Sequence, residues 1–240
     1  MRKKRRLSLR ESAMKTRIKI DSTILASLIA LTGVLCIFPS LYAVNRFGDH
    51  LFALLGFSVL FFGIYLRMAS RAHKKKYSQE GHGLVTTGPY HHMRNPMYLG
   101  SFLLGSGFIL LVWPWWLMPL FGWLFYLRFR EQIVKEEKHL KKLFGEEYES
   151  YCRRVPRIFP QLSQLTRSAL QKNFPWDEIW MTKEKYGLMI WPLVGYCLKI
   201  SQEKVVFGSF AMLSIAGVLL AAVVLFEAGL WLVYRRVLSR

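Results

Sequence analysis

For a chain of its charge this sequence is short of acids: 15 Asp and Glu stand against 34 Lys and Arg, a formal net charge of +19 in 240 residues. Cysteine is nearly absent, and its three copies show no paired spacing, so a disulfide framework is excluded. Cys36 and Cys197 lie in apolar stretches and are expected to be small packing residues, whereas Cys152, in a polar basic segment, reads as an ordinary surface thiol. An internal repeat is also missing, and so is any nucleic-acid-reading motif. The basic residues do not form one face of a soluble module but border apolar runs, the positive-inside pattern of membrane proteins. No nucleic-acid partner is expected.

What the chain does have is hydrophobic length, with 52% of its residues apolar. Five apolar segments stand out: 24–44, 51–66, 97–113, 115–127 and 205–234. The first is too long for a signal-peptide core; its 21 residues span roughly 30 Å as a helix, enough to cross a bilayer. It follows a basic arm with nine Lys or Arg and one acid in residues 1–19, and it reads as a signal anchor with that arm left in the cytoplasm. The third and fourth segments meet at Pro114 as a helical hairpin capped by Trp113, Trp115 and Trp116. The fourth is short for a span, and the hairpin either lies buried among other helices or extends through Arg128 into the cytoplasm.

The expected fold is therefore an all-α, multi-span integral membrane protein with about five transmembrane helices, six being the rival count. A basic cytoplasmic arm (1–20) precedes a membrane core (21–160), a linker with one interfacial segment (161–204) and a C-terminal transmembrane helix (205–240). Leu188–Leu198, 11 apolar residues interrupted by Pro192, reads as an interfacial or re-entrant piece, and if it crosses instead the C-terminus returns inside. Glu227, near the end of the last run, reads as an interfacial acid paired with Arg235 or Arg236. Loop charge puts the N-terminus and the polar loops after residues 66 and 127 in the cytoplasm, at the cytoplasmic (inner) membrane.

The chemistry is concentrated in the loop Gly81–Tyr98 and in two acids beyond the hairpin. Gly88-Pro89 and Asn95-Pro96 are turn dipeptides whose prolines push the preceding residue away from helix, exposing backbone N–H and C=O groups. Pro96 suits the first turn of the helix that follows; anions favour that terminus, and Arg94 adds a bidentate donor beside it. Tyr90 and Tyr98 supply aromatic faces, so the loop suits a ligand with a carboxylate, a flat base and a cationic centre. Glu136 and Glu137 are carried back towards this loop by the hairpin. Neighbours on a helix do not share a face, so one is expected at the reaction centre and the other beside Arg130, Lys135 or Lys138. Arg153, Arg154 and Arg157 form a basic rim suited to an anionic headgroup. His82, His91 and His92 have no Cys or acid partners at metal-ligand spacing, and no metal is expected. Singly each residue has an ordinary explanation, as a lipid anchor, an aromatic-belt ring or a solvated charged helix. Together they point to a site.

In order, Gly88-Pro89-Tyr90, Arg94, Pro96, Tyr98 and Gly100, then Glu136-Glu137, Leu140, Phe144-Gly145, Tyr148, Tyr151, Val155-Pro156-Arg157 and Pro160, resemble the isoprenylcysteine carboxyl methyltransferase and phospholipid N-methyltransferase superfamily. The match covers about residues 55–160. The resemblance implies a membrane enzyme that takes S-adenosylmethionine from the cytosol and methylates a lipid or lipidated acceptor. It implies that Gly88, Pro89, Tyr90, Arg94, Asn95, Pro96 and Tyr98 bind the cofactor, and that Glu137, Glu136 and Arg94 carry the catalytic roles. One departure is Asn95, where the family often has histidine; asparagine hydrogen-bonds but cannot serve as acid or base. The competing readings are an NADPH-dependent membrane reductase of the steroid 5α-reductase type, with a similar Pro-x-Tyr, glutamate and FG-x-x-Tyr layout, and a non-enzymatic membrane partner on the same scaffold.

Overall fold

The computed structural model describes residue 32, residues 34–35, 37–42, 45–78, 83–160 and 185–208. Every regular element among these is helical. Most of the first and last apolar runs, Glu227, Cys36, His82 and the linker 161–184 lie outside the described residues.

Helix α1 (Arg46–Tyr77) is 32 residues long, about 48 Å at 1.5 Å per residue. Its ends are well specified. Asn45 caps the N-terminus by accepting a hydrogen bond from the Gly48 N–H at 2.8 Å, Asp49 sits in the first turn, and Lys74, Lys75 and Lys76 complement the dipole in the last. A one-turn helix, α2 (Pro89–His92), leads into α3 (Pro96–Val112), which is apolar on all sides and stops at Trp113-Pro114. Helix α4 (Met118–Arg154) is 37 residues long and ends at Val155, whose N–H bonds the Tyr151 carbonyl at 3.0 Å just before Pro156. The fourth apolar run and the charged segment after it are thus one helix, broken in direction only at Gly145 (φ 50°).

The core is the antiparallel contact of α1 and α3. Gly56 and Gly63 on α1 face Gly107 and Gly100 on α3: a Cβ on Gly107 would lie 2.8 Å from the Gly56 carbonyl, and one on Gly100 would lie 2.9 Å from that of Gly63. Two glycines seven residues apart on each helix let the backbones touch, as small residues do where helices pack in lipid. Around this seam Ala53, Leu60, Ile64, Met68, Ala69 and Leu111 are buried together.

Helix α5 (Lys185–Phe207) revises the expected short interfacial piece. It runs 23 residues through Pro192 and packs on the same core, Gly195 lying against Leu111, Leu60 and Phe57. Helix α4 instead splays from α3 and touches it through rings: Phe102 stacks on Phe121 at 5.7 Å, and Tyr98 meets Phe129 edge-on at 5.5 Å. Large apolar side chains face outward, including Leu54, Leu55 and Phe62 on α1 and Trp123, Leu124, Tyr126 and Leu127 on α4. One described helix, α1, is long and apolar enough to cross a membrane.

Candidate functional site

The loop between α1 and α3 is built on a buried histidine. Gly88 adopts φ +62°, in the region glycine enters without steric cost, and a Cβ there would sit 2.7 Å from the His73 ring. His73 Nε2 and Thr87 Oγ1 share a hydrogen bond of 2.9 Å. Pro89 then starts α2, and Tyr90 is held from the other side of the site by the Tyr151 hydroxyl, which donates to its carbonyl at 2.6 Å.

After α2 the chain runs extended through Met93, and its next two amides pair with the segment that leaves α4. The Arg94 N–H donates to the Pro156 carbonyl (2.9 Å) and the Asn95 N–H to that of Arg157 (3.1 Å). This backbone ladder fixes the register of the two segments. It brings Arg94, Asn95 and Arg157 around one carboxylate, that of Glu137, which is buried. Arg157 reaches it with Nη2 at 2.6 Å and Nε at 3.2 Å, Asn95 Nδ2 donates at 3.2 Å, and Arg94 Nη1 lies 3.4 Å away.

The two glutamates do divide, in a different way from the expected one. Glu136 is exposed, yet it does not pair with Arg130, Lys135 or Lys138: it accepts from the Tyr98 hydroxyl at 2.8 Å and from Gln132 Nε2 at 2.9 Å. Lys135 turns to Glu131. Tyr98, long and one turn into α3, spans the angle between adjacent α4 positions, so both acids are tied to the same strip. Arg157 likewise leaves the basic rim for Glu137, while Arg153 and Arg154 stay exposed. Cys152 is no bystander thiol, since its Sγ accepts from Arg94 Nη1 at 2.7 Å.

The charge states follow from these neighbours. Burial works against the Arg94 cation, but the Glu137 carboxylate and the Cys152 sulfur outweigh it and hold the guanidinium protonated even more firmly than usual. Burial, reinforced by the Glu136 carboxylate, pushes the Tyr90 phenol up; burial and Glu137 do the same to Tyr148. Tyr151 is raised by burial and by the neighbouring phenols. These rings are therefore neutral hydrogen-bonding groups.

Two donors remain available. Asn95 occupies the N-cap position of α3 but spends its side chain on Glu137 and the Arg157 carbonyl, so no side chain caps that helix. The Nε of Arg94 is buried and has no partner among the described residues. An uncapped helix start and an unpartnered guanidinium nitrogen on the preceding residues are features that fit a cofactor carrying a carboxylate.

Of the residues singled out in the sequence, Gly88, Pro89, Tyr90, Arg94, Asn95, Pro96, Tyr98, Glu136 and Glu137 are thus linked by short contacts or direct chain neighbourhood. His91 is exposed, His92 buried. Sequence reasoning did not assign His73, Cys152 or Arg157 to the site. Arg157 carried a usable signal, its place in the Val-Pro-Arg tripeptide that closes α4; His73 carried none.

A buried carboxylate ringed by two arginines and an asparagine, beside an uncapped helix start, is a candidate anion-handling site at the end of helices that carry outward apolar side chains. The chain belongs to the phospholipid methyltransferase family, whose model matches residues 22–147, just over half of its length. Among curated proteins it is similar to protein-S-isoprenylcysteine O-methyltransferase of Schizosaccharomyces pombe, at 31% identity over 131 residues, which cover 51% of this chain and 55% of that one. It is also similar to protein-S-isoprenylcysteine O-methyltransferase B of Arabidopsis thaliana (35% over 82 residues, 34% and 42% of the two chains). A third relative is the nickel-cobalt-cadmium resistance protein NccN of Alcaligenes xylosoxydans xylosoxydans (34% over 106 residues, 40% and 48%). The matches span about half or less of these relatives' lengths. No solved structure gives a significant match.

Proposed function

We propose that this protein is a multi-span membrane methyltransferase that transfers a methyl group from S-adenosylmethionine to the carboxylate of a lipid-like acceptor at the cytoplasmic face. The observation that carries the reading is the state of Glu137. Its two oxygens already accept from Arg157, Asn95 and, at longer range, Arg94. Those contacts commit Glu137 to holding the two arginines and Asn95 in place, not to meeting an acceptor. An acceptor that arrives as an anion needs no base.

When bound, S-adenosylmethionine supplies an electrophilic methyl on a positively charged sulfur. Transfer of that methyl to a carboxylate oxygen would leave the donor as a neutral thioether. Such a transfer would cancel opposite charges and require no proton acceptor from the protein. The protein's work is to align the reactants and exclude water. In this reading Gly88, Pro89 and Tyr90 line the cofactor side, Arg94 Nε and the start of α3 take its carboxylate, Tyr98 offers a ring face, and Arg157 and Asn95 hold Glu137 in place. The outward apolar faces of α1 and α4 suit lipid contact, and Lys74–Lys76 suit the cytoplasmic boundary.

An amine acceptor is the second reading, and the observation favouring it is Glu136. It is exposed and accepts from two neutral donors, Tyr98 and Gln132, so an amine acceptor could reach it from solvent. Tritiated-methyl S-adenosylmethionine, incubated with the purified protein and a total lipid extract, separates the two. A product whose label becomes volatile in mild alkali is an ester and supports the carboxylate acceptor. Label retained in alkali identifies methylated nitrogen. Binding of NADPH in place of S-adenosylmethionine would point to the reductase.

A further inference from the structure

Helix α5 runs antiparallel to α1 and presents two different sides. Gly195 lies against Leu60, and nearer the start of α1 the fully buried Lys199 ammonium donates to both Asp49 oxygens, at 2.7 Å (Oδ1) and 2.6 Å (Oδ2). The inward side is occupied along its length. Pro192, Gly195, Lys199 and Gln202 are buried there, and Val206 packs with Leu35 and Tyr42 of the preceding chain. The opposite side carries Ile190, Val194, Cys197, Ser201 and Lys204, all exposed. These five recur at intervals of four and three residues and so form one stripe down the helix.

This stripe differs from the outward faces of α1 and α4, where large side chains such as Phe62 and Trp123 suit acyl chains. Cys197 and Ser201 are small, and small residues at helical spacing are where helices pack against each other in lipid. Helix α5 also ends inside the apolar run 205–234 instead of leaving that run as one helix. Gly208 takes φ +67°, and its N–H bonds the Lys204 carbonyl at 3.1 Å, the motif in which a left-handed residue turns the chain out of a helix.

The rest of the run, 209–234, lies outside the described residues, and its sequence repeats the pattern of the stripe. Ser214, Gly217, Ala221, Val224 and Ala228 stand at intervals of three and four residues. With 208–210 as the connection, an ordinary length for a helical hairpin, each comes level with one member of the stripe. Ser214 meets Lys204, Gly217 meets Ser201, Ala221 meets Cys197, Val224 meets Val194 and Ala228 meets Ile190.

We infer that the outward face of α5 is the docking surface for residues 211–234 of the same chain, folded back on it as an antiparallel helix. That segment is roughly 36 Å long as a helix, close to the length of α5, so it returns Arg235 and Arg236 to the end of the bundle where α5 begins. The first apolar run is not the occupant, because its described part meets α5 at Val206, on the inward side. The inference is independent of the methyl-transfer reading.

The test uses the native Cys197. Ala221→Cys and Val223→Cys are made separately in the full-length chain and oxidised in membranes with copper phenanthroline, and the disulfides are mapped by peptide mass. A disulfide needs Cα atoms within about 7 Å, which residues facing each other across small side chains reach. A bond within one chain from Cys197 to position 221, formed at least tenfold faster than to position 223 on the far side of the helix, is expected. Equal rates at the two positions would overturn the inference. So would no bond at either, which leaves the face to lipid, or a bond between two chains, which assigns it to a second copy. Should Ala221→Cys not fold, Val194→Cys combined with Val224→Cys decides in the same way: closure within one chain supports the hairpin, and failure to close refutes it.

Discussion

The two ends of α1 each bury a carboxylate held by cations, but they do so in opposite ways. At the Asp49 end the cation is a fully buried lysine from one helix. At the Glu137 end the carboxylate is shared among donors from the loop before α3 and the segment after α4, and one of them, Arg157, has half its side chain in solvent. The first arrangement locks two helices together; the second leaves cations next to an open surface, where an incoming anion can exchange with or join Glu137. Burial depth and donor exposure, rather than the presence of an ion pair, separate a structural clasp from a candidate binding site.

The contrast is broken most severely at its closed end. Asp49→Asn strands the Lys199 ammonium in the interior and should cost about 3–5 kcal/mol, read as a large drop in melting temperature, with methyl transfer per folded molecule unchanged. At the open end the effect should fall on chemistry. Arg94→Ala is expected to lower methyl transfer by roughly 100-fold, an effect on the order of 3 kcal/mol, with cofactor affinity by calorimetry falling in parallel and the melting temperature shifting little. An unchanged dissociation constant would take Arg94 out of the cofactor site.

Between the two ends lies the glycine seam. Gly107→Val pushes a side chain into the Gly56 carbonyl and should destabilise by about 1–3 kcal/mol. A smaller effect sharpens the assignment of the two acids: for a carboxylate acceptor Glu136→Gln should cost only a few-fold in turnover, and Glu137→Gln more, through disordered arginines. A greater loss in Glu136→Gln would favour the amine reading. The least effect is in pH. Tyr90, Tyr148 and Tyr151 have folded-state pKa values raised by burial above the ordinary 10.0, so the stability they lend is fully present below about pH 10. It is lost as pH rises beyond that, because only the unfolded chain then releases the protons. A melting temperature flat from pH 7 to 9 that declines above 10 is expected.

What the sequence disclosed follows the range of the interactions. Gly88-Pro89 and Arg94 to Tyr98 are local turn and helix-start chemistry, and the hairpin's return to Glu136 and Glu137 follows from apolar segment length; both were legible. The glycines seven apart, 56 and 63 against 100 and 107, acquire their meaning only when the two helices meet, so apolar length alone does not reveal the seam. Helix α5 was obscured for a physical reason. Lys199, Gln202 and Glu203 cut its apolar run to 11 residues, and what makes them compatible with burial is Asp49, 150 positions before Lys199. His73 was silent for the same cause: its role is to lie under Gly88, a contact that exists only once the loop folds back over α1.

The central claim, that the Arg94–Asn95 strip and the Glu137–Arg157 segment are two walls of one cofactor site, is tested most directly by photolabelling. Tritiated S-adenosylmethionine would be crosslinked to the purified protein by ultraviolet light, and the labelled peptides mapped. Label in the peptides that contain Gly88 to Tyr98 and Glu136 to Arg157, suppressed by unlabelled cofactor, is the predicted result. Label confined to other segments, or competed no better by S-adenosylmethionine than by NADPH, would contradict it.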